Sequence, residues 1–122
     1  MEIDEILGFA LSLPETEESF PFGPDLVVLK TKGKIFIILN LASEPLSINY
    51  KASPEDILEQ RETYNEYVFP GYHMNKKHWN TVIVDGRLST KELKEMIEHS
   101  YGLVRVQGFK GLKVQRFRGS KV

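Results

Sequence analysis

The sequence predicts an α+β domain in which an antiparallel sheet is covered by helices on one face. Three observations predict it. Short aliphatic and β-branched runs follow one another between residues 26 and 50 with only turn residues between them, the pattern of hairpin-connected strands. Helical periodicity and helix-start signals flank and follow these runs. The 122 residues suffice for one hydrophobic core, so residues 1–122 are expected to form a single domain with a basic tail from about residue 108.

The elements are read in chain order. Ile3, Ile6, Leu7, Ala10 and Leu11 recur at helical spacing and predict an amphipathic helix ending near Ser12, ahead of Pro14. Leu26–Thr31 and Lys34–Leu41 flank Lys32-Gly33 and read as a hairpin. Leu46–Tyr50 sets Leu46, Ile48 and Tyr50 against Ser47 and Asn49, a third strand with one wet face. Ser53-Pro54-Glu55-Asp56 combines a cap, a first-turn proline and two acids, and starts a helix running to about Tyr64. Trp79–Val84 reads as a strand closed by the turn pair Asp85-Gly86. Ser89 and Glu92 form a capping box before the apolar stripe Leu93, Met96, Ile97, Tyr101 and Val104. Gly102 is a candidate terminator of that helix, although Val104 stays in phase. Beyond Gly108, bases alternate with Val114 and Phe117, which fits either a short strand or a basic arm.

Composition narrows function. With 41% hydrophobic and 27% charged residues the chain is of globular type, and with no cysteine it excludes disulfides, thiolate metal sites and cysteine nucleophiles. The start of the chain lacks a positively charged leader and no apolar run reaches about 20 residues, so a cytoplasmic, non-membrane protein is expected. The net charge of −1 conceals an asymmetry: residues 1–20 hold six acids and no Lys or Arg, and residues 102–122 hold six bases and no acid. A locally basic surface is compatible with that distribution, as is attraction between the two ends.

Pro70–Thr81 is the densest cluster of chemistry. It contains Tyr72, His73, Asn75, Lys76, Lys77, His78, Trp79 and Asn80, and no acid. Lysines attract phosphates, asparagines offer paired donors and acceptors, and exposed aromatics stack on bases. A capped turn leading into a strand accounts for the same residues structurally, with Trp79 as core.

Catalysis finds less support. His73 and His78 are five apart, which misses the spacing that places two ligands on one helix face. Neither has an acid close in sequence to orient it, and no nucleophile-elbow or phosphate-loop motif occurs. No catalytic residue, metal site or cofactor is therefore expected. Gly108–Gly111 matches the Gly-x-x-Gly spacing of a backbone clamp, but that clamp joins two helices and no helix follows here, so a tight turn is the better reading. Glu55, Asp56, Glu59 and Glu62 could form an acidic ridge or simply a solvated helix face.

Four stretches carry a resemblance: Phe20-Pro21-Phe22-Gly23-Pro24-Asp25, Asn49-Tyr50-Lys51 ahead of Ser53-Pro54-Glu55, Pro70–Thr81 leading into Val82–Gly86, and Ile97-Glu98-His99-Ser100-Tyr101. Together they resemble the MmcQ/YjbR family from the first helix to about Val104. The resemblance implies a frataxin-like fold and DNA binding through a double-wing motif, with no catalytic residues. Its characteristic polar positions fall on Lys51, His73, Asn75, Lys76, Lys77, His78, Asn80 and His99. The chain departs from the family pattern at Gly102, where an acid is common, and in the tail beyond Gly108.

The resulting expectation is a non-enzymatic nucleic-acid-binding domain. Lys51, Lys76, Lys77 and the tail bases Lys110, Lys113, Arg116 and Arg118 would contact phosphates; Tyr72, His73, Asn75, His78 and Asn80 would add polar and stacking contacts. A pocket for a small anionic or aromatic molecule is the second reading, and an adaptor for a protein partner the third.

Overall fold

The computed structural model describes residues 2–71 and 74–106. The expected roles of Tyr72, His73, Lys110, Lys113, Arg116 and Arg118, and the Gly108–Gly111 turn, lie outside the described residues. The elements are α1 (Ile3–Ser12), β1 (Thr16–Ser19), β2 (Leu26–Thr31), β3 (Lys34–Asn40), β4 (Leu46–Lys51), α2 (Pro54–Thr63), β5 (Val68–Pro70), β6 (Trp79–Val84) and α3 (Thr90–Val106). The strands form one sheet in the order β1-β2-β3-β4-β6-β5, with every neighbouring pair antiparallel.

The helix starts follow their sequence signals. Ser53 Oγ accepts from the Asp56 amide at 3.3 Å, and Ser89 Oγ accepts from the Glu92 amide at 3.1 Å while the Glu92 carboxylate accepts from the Ser89 amide at 3.3 Å. These contacts satisfy donors that a helix start leaves without intrahelical partners. Gly102 does not end α3, because Tyr101 and Val104 remain on the packed stripe and their burial outweighs one glycine's poor propensity. The β2–β3 turn places Lys32 at φ 52° and Gly33 at φ 78°, the paired left-handed conformation that matches hairpin twist.

All three helices lie on one face. Ile6 and Ala10 of α1 and Leu93, Met96, Ile97 and Val104 of α3 pack on Val27, Leu29, Ile37, Leu39, Ile48 and Tyr50 of the sheet. A register shift at Leu29/Lys30 inserts an extra residue in β3, so that Phe36 and Ile37 both enter this core. The Phe36 ring meets Tyr101 edge-on, with centroids 5.4 Å apart.

Two strands are absent from the sequence expectation. β1 carries Thr16-Glu17-Glu18-Ser19, without an apolar alternation, and gains its ladder from β2 alone. β5 is three residues long and ends in Pro70, as suits an edge. A further correction concerns β4: its Ser47 side is not a wet face, since Ser47 is only 9% exposed beneath the Phe22 loop and Met74. Among the described residues no helix is long and apolar enough to cross a membrane.

Candidate functional site

The face of the sheet away from the helices has three cross-strand rows, fixed by register. Leu26, Asn40, Ser47 and Ile83 form the first, and Val28, Ile38, Asn49 and Thr81 the second. By strand alternation the third holds Lys30, Ile35, Lys51 and Trp79. Over the first two rows lies a hollow of about 290 Å³, lined by Phe22, Leu26, Ile38, Asn40, Ser47, Asn49, Met74 and Thr81. Thr81 Oγ1 donates to Asn49 Oδ1 at 2.5 Å across this floor.

At the third-row end of the sheet, antiparallel pairing gathers segments distant in sequence. The β2–β3 turn brings Lys32 and Lys34, β4 ends at Lys51, and the 75–78 turn enters β6 with Lys76, Lys77 and His78. The Lys51 ammonium sits 5.5 Å from the centroid of the Trp79 ring, a cation–π contact. Partial burial pushes the Lys51 pKa down, and the like charge of Lys34 pushes it further the same way. The Lys51 backbone is held in turn by Ser100 Oγ, which accepts from the Lys51 amide at 2.9 Å and donates to the Phe36 carbonyl at 2.6 Å.

Individual residues in 70–81 have unequal roles. Lys76 and Lys77 are exposed, with Lys76 Nζ donating to the Gly71 carbonyl at 3.1 Å. Asn75 builds the turn: its Oδ1 accepts from the Lys77 amide at 2.9 Å, and its carbonyl accepts from His78 at 3.2 Å and Trp79 at 3.0 Å. His78 is half-buried and its carbonyl accepts from Ala52 at 3.1 Å. Trp79 is core, at 7% exposure. Asn80 requires correction. It is fully buried, its Nδ2 donates to the Ile57 carbonyl at 3.1 Å and to Tyr50 Oη at 3.3 Å, and it presents no atom to a surface ligand.

Arg61 was not singled out by the sequence reading. Its Nε donates to Asn80 Oδ1 at 2.7 Å, and its Nη2 donates to the carbonyls of Lys76 and Trp79, so one guanidinium binds α2 to the lysine-bearing turn. A single base in the last turn of an otherwise acidic helix was the available signal. Asn40, Ser47, Asn49, Thr81, Phe22 and Met74 were likewise not grouped, because only strand pairing brings them together.

The His99-Ser100-Tyr101 string ties α3 to its surroundings. His99 Nε2 lies 3.6 Å from Asp56 Oδ2 of α2, Ser100 joins β3 and β4, and Tyr101 Oη donates to the Pro14 carbonyl at 2.6 Å. Burial lowers the His99 pKa and Asp56 partly opposes this. Because Asp56 is buried at 1% exposure, residues 55, 56, 59 and 62 do not form a continuous acidic ridge. No group of three His, Cys, Asp or Glu side chains suited to a metal ion occurs among the described residues. Attraction between the chain ends is realised at Arg105 and Glu15, whose Nη2 and Oε1 are 2.8 Å apart.

Relatives share this architecture. The chain is 40% identical over 95 residues to the uncharacterized protein YbdF of Escherichia coli O157:H7, covering 78% of this chain and 77% of YbdF. It is 28% identical over 101 residues to the uncharacterized protein YjbR of Escherichia coli K12, covering 83% and 85% respectively. The crystal structure of Deinococcus radiodurans protein DR2400 superposes with a TM-score of 0.84 at 32% identity, across 97% of this chain and 94% of that one. A crystal structure of a Pseudomonas syringae protein gives a TM-score of 0.72 at 27% identity, over 84% and 98%. The YjbR family profile matches residues 11–103, and the chain belongs to the MmcQ/YjbR family.

Proposed function

We propose that the protein binds nucleic acid through the open face of its sheet and the lysine-bearing end of that face. One observation carries this reading: antiparallel pairing brings Lys32 and Lys34 of the β2–β3 turn and Lys51 at the end of β4 to one end of the sheet. Gathering cations opposes folding, and a polyanion would offset that opposition when bound. Lys76 and Lys77, exposed on the neighbouring turn, extend the same end of the sheet. The reading treats Lys51, Lys76, Lys77 and His78 as contacts and assigns Asn75 to shaping the turn. Tyr72, His73, Lys110, Lys113, Arg116 and Arg118 stay within the proposed contact set on sequence grounds. It takes the helix-backed sheet as a variation on the frataxin-like arrangement, with the hairpins as the two wings, and the cell interior as its setting.

Fluorescence anisotropy with labelled single- and double-stranded DNA at ~50 mM and ~200 mM salt tests the reading. Affinity should fall steeply with salt, and Lys76→Ala and Lys77→Ala should each weaken binding across sequences and reduce the salt slope by about 1. Absence of binding to either DNA at the lower salt overturns it.

The hollow on the same face favours a second reading, a site for a small anionic or aromatic molecule.

A further inference from the structure

The hollow under Phe22 and Met74 has more chemistry than a packing gap. Ser47 is 9% exposed and lines the hollow. Asn40 stands directly opposite Ser47 in the β3–β4 register. Its Oδ1 accepts from the Ala42 amide at 3.0 Å, which fixes the carboxamide and leaves Nδ2 as a donor for the hollow. Two adjacent groups, an amide donor and a hydroxyl that both donates and accepts, thus share one wall of the cavity.

The remaining walls suit a flat ring. Leu26 and Ile38 supply an apolar floor, Met74 a polarizable thioether, and Phe22 an aromatic ring that is 60% exposed at the mouth. At about 290 Å³ the volume lies at the lower end of small-ligand sites, the size of a ring system and its fringe of solvent. Lys51 lies four residues from Ser47 along β4, roughly 13 Å away by strand rise. Lys30 and Lys51 share the third row of the same face, so cations flank the hollow on the side where a strand would continue.

We propose that this hollow takes one unstacked nucleobase of a single-stranded nucleic acid, its edge on Asn40 and Ser47 and its ring between Ile38 and Phe22. The inference rests on the nucleic-acid reading above and adds a strand preference, since a base within a duplex stays stacked on its neighbours and cannot enter. Lys51 and Lys30 then meet the phosphates next to the inserted base. Asn49 and Thr81, bonded to each other, form the opposite side of the floor and keep the hollow's shape.

Isotope-labelled full-length protein titrated with homotetranucleotides of each base, and separately with the free mononucleotides, tests this by NMR. The tetranucleotides should shift the Asn40 side-chain amide and the Ile38 and Met74 methyl signals, with one base preferred. Ser47→Ala should lower affinity for that tetranucleotide by about three- to tenfold and flatten the preference, leaving the salt slope unchanged. Tetranucleotide binding that moves the lysine signals but not those of the hollow overturns the base pocket and leaves the nucleic-acid reading standing. Mononucleotides binding as tightly as tetranucleotides overturn the strand assignment, and no binding by any tetranucleotide overturns both.

Discussion

Arg61 Nε donates to Asn80 Oδ1 at 2.7 Å, joining the last turn of α2 to a fully buried amide in β6. The same guanidinium reaches the carbonyls of Lys76 and Trp79, so the turn bearing Lys76 and Lys77 is latched from below. Arg61→Ala should cost about 1.5–3 kcal/mol, the scale of hydrogen bonds to a charged group. Arg61→Lys should restore little of it, because an ammonium lacks the planar fork. Denaturant midpoints give the stability change, and faster hydrogen exchange at the His78 and Trp79 amides reports the loosened turn. Unchanged exchange there would refute the latch.

Gly71 meets Trp79 where β5 gives way to the turn. A β-carbon added at Gly71 would lie 2.7 Å from Trp79 Cβ and 2.9 Å from the Trp79 carbonyl oxygen. Gly71→Ala should destabilise by about 1–3 kcal/mol through overpacking. With a single tryptophan in the chain, the fluorescence of Trp79 reports the displacement directly. A variant with native stability and an unshifted spectrum would show that the contact yields.

Gly102 behaves oppositely. It sits inside α3, and a β-carbon there meets no atom within 4 Å. Gly102→Ala should stabilise by about 0.5–1 kcal/mol by restricting the unfolded chain and favouring helix. Thermal and denaturant midpoints should both rise; a fall in either would mean the site is tighter than its geometry.

His99 gives a pH dependence. Burial holds its pKa below the ordinary 6.5, and Asp56 offsets part of the shift. The unfolded chain therefore binds a proton on this residue before the native state does. Its contribution to stability is full above about pH 6.5 and is lost progressively as pH falls from there toward the lower native pKa. His99→Gln should flatten the decline between about pH 7.5 and about pH 5.5. Urea midpoints of both proteins across that range decide it, and parallel declines would assign the slope to another group.

Much of the framework was legible because its signals are local. Ser53 and Ser89 cap the helices they were expected to start, and Lys32-Gly33 turns the hairpin it was expected to turn. β1 was not legible, since Glu17 and Glu18 give no alternation and its strand character is imposed by β2. Within the candidate site, the surface position of Lys76 and Lys77 was legible from composition, and the burial of Asn80 was not. An asparagine in a strand satisfies itself inside a core only when distant groups, here Ile57, Tyr50 and Arg61, converge on it. The hollow escaped notice for the related reason that Ser47 and Asn49 have the alternation of a solvent-facing strand.

The two margins of the sheet differ from its middle in a way that bears on self-association. Glu17 and Glu18 place like charge along β1, and β5 offers two residues before Pro70, which has no amide hydrogen to give. A foreign strand seeking to lengthen the ladder would meet repulsion on one side and too few donors on the other. The geometry thus discourages templated growth from both flanks, so a concentrated solution of this protein should resist fibrillar assembly.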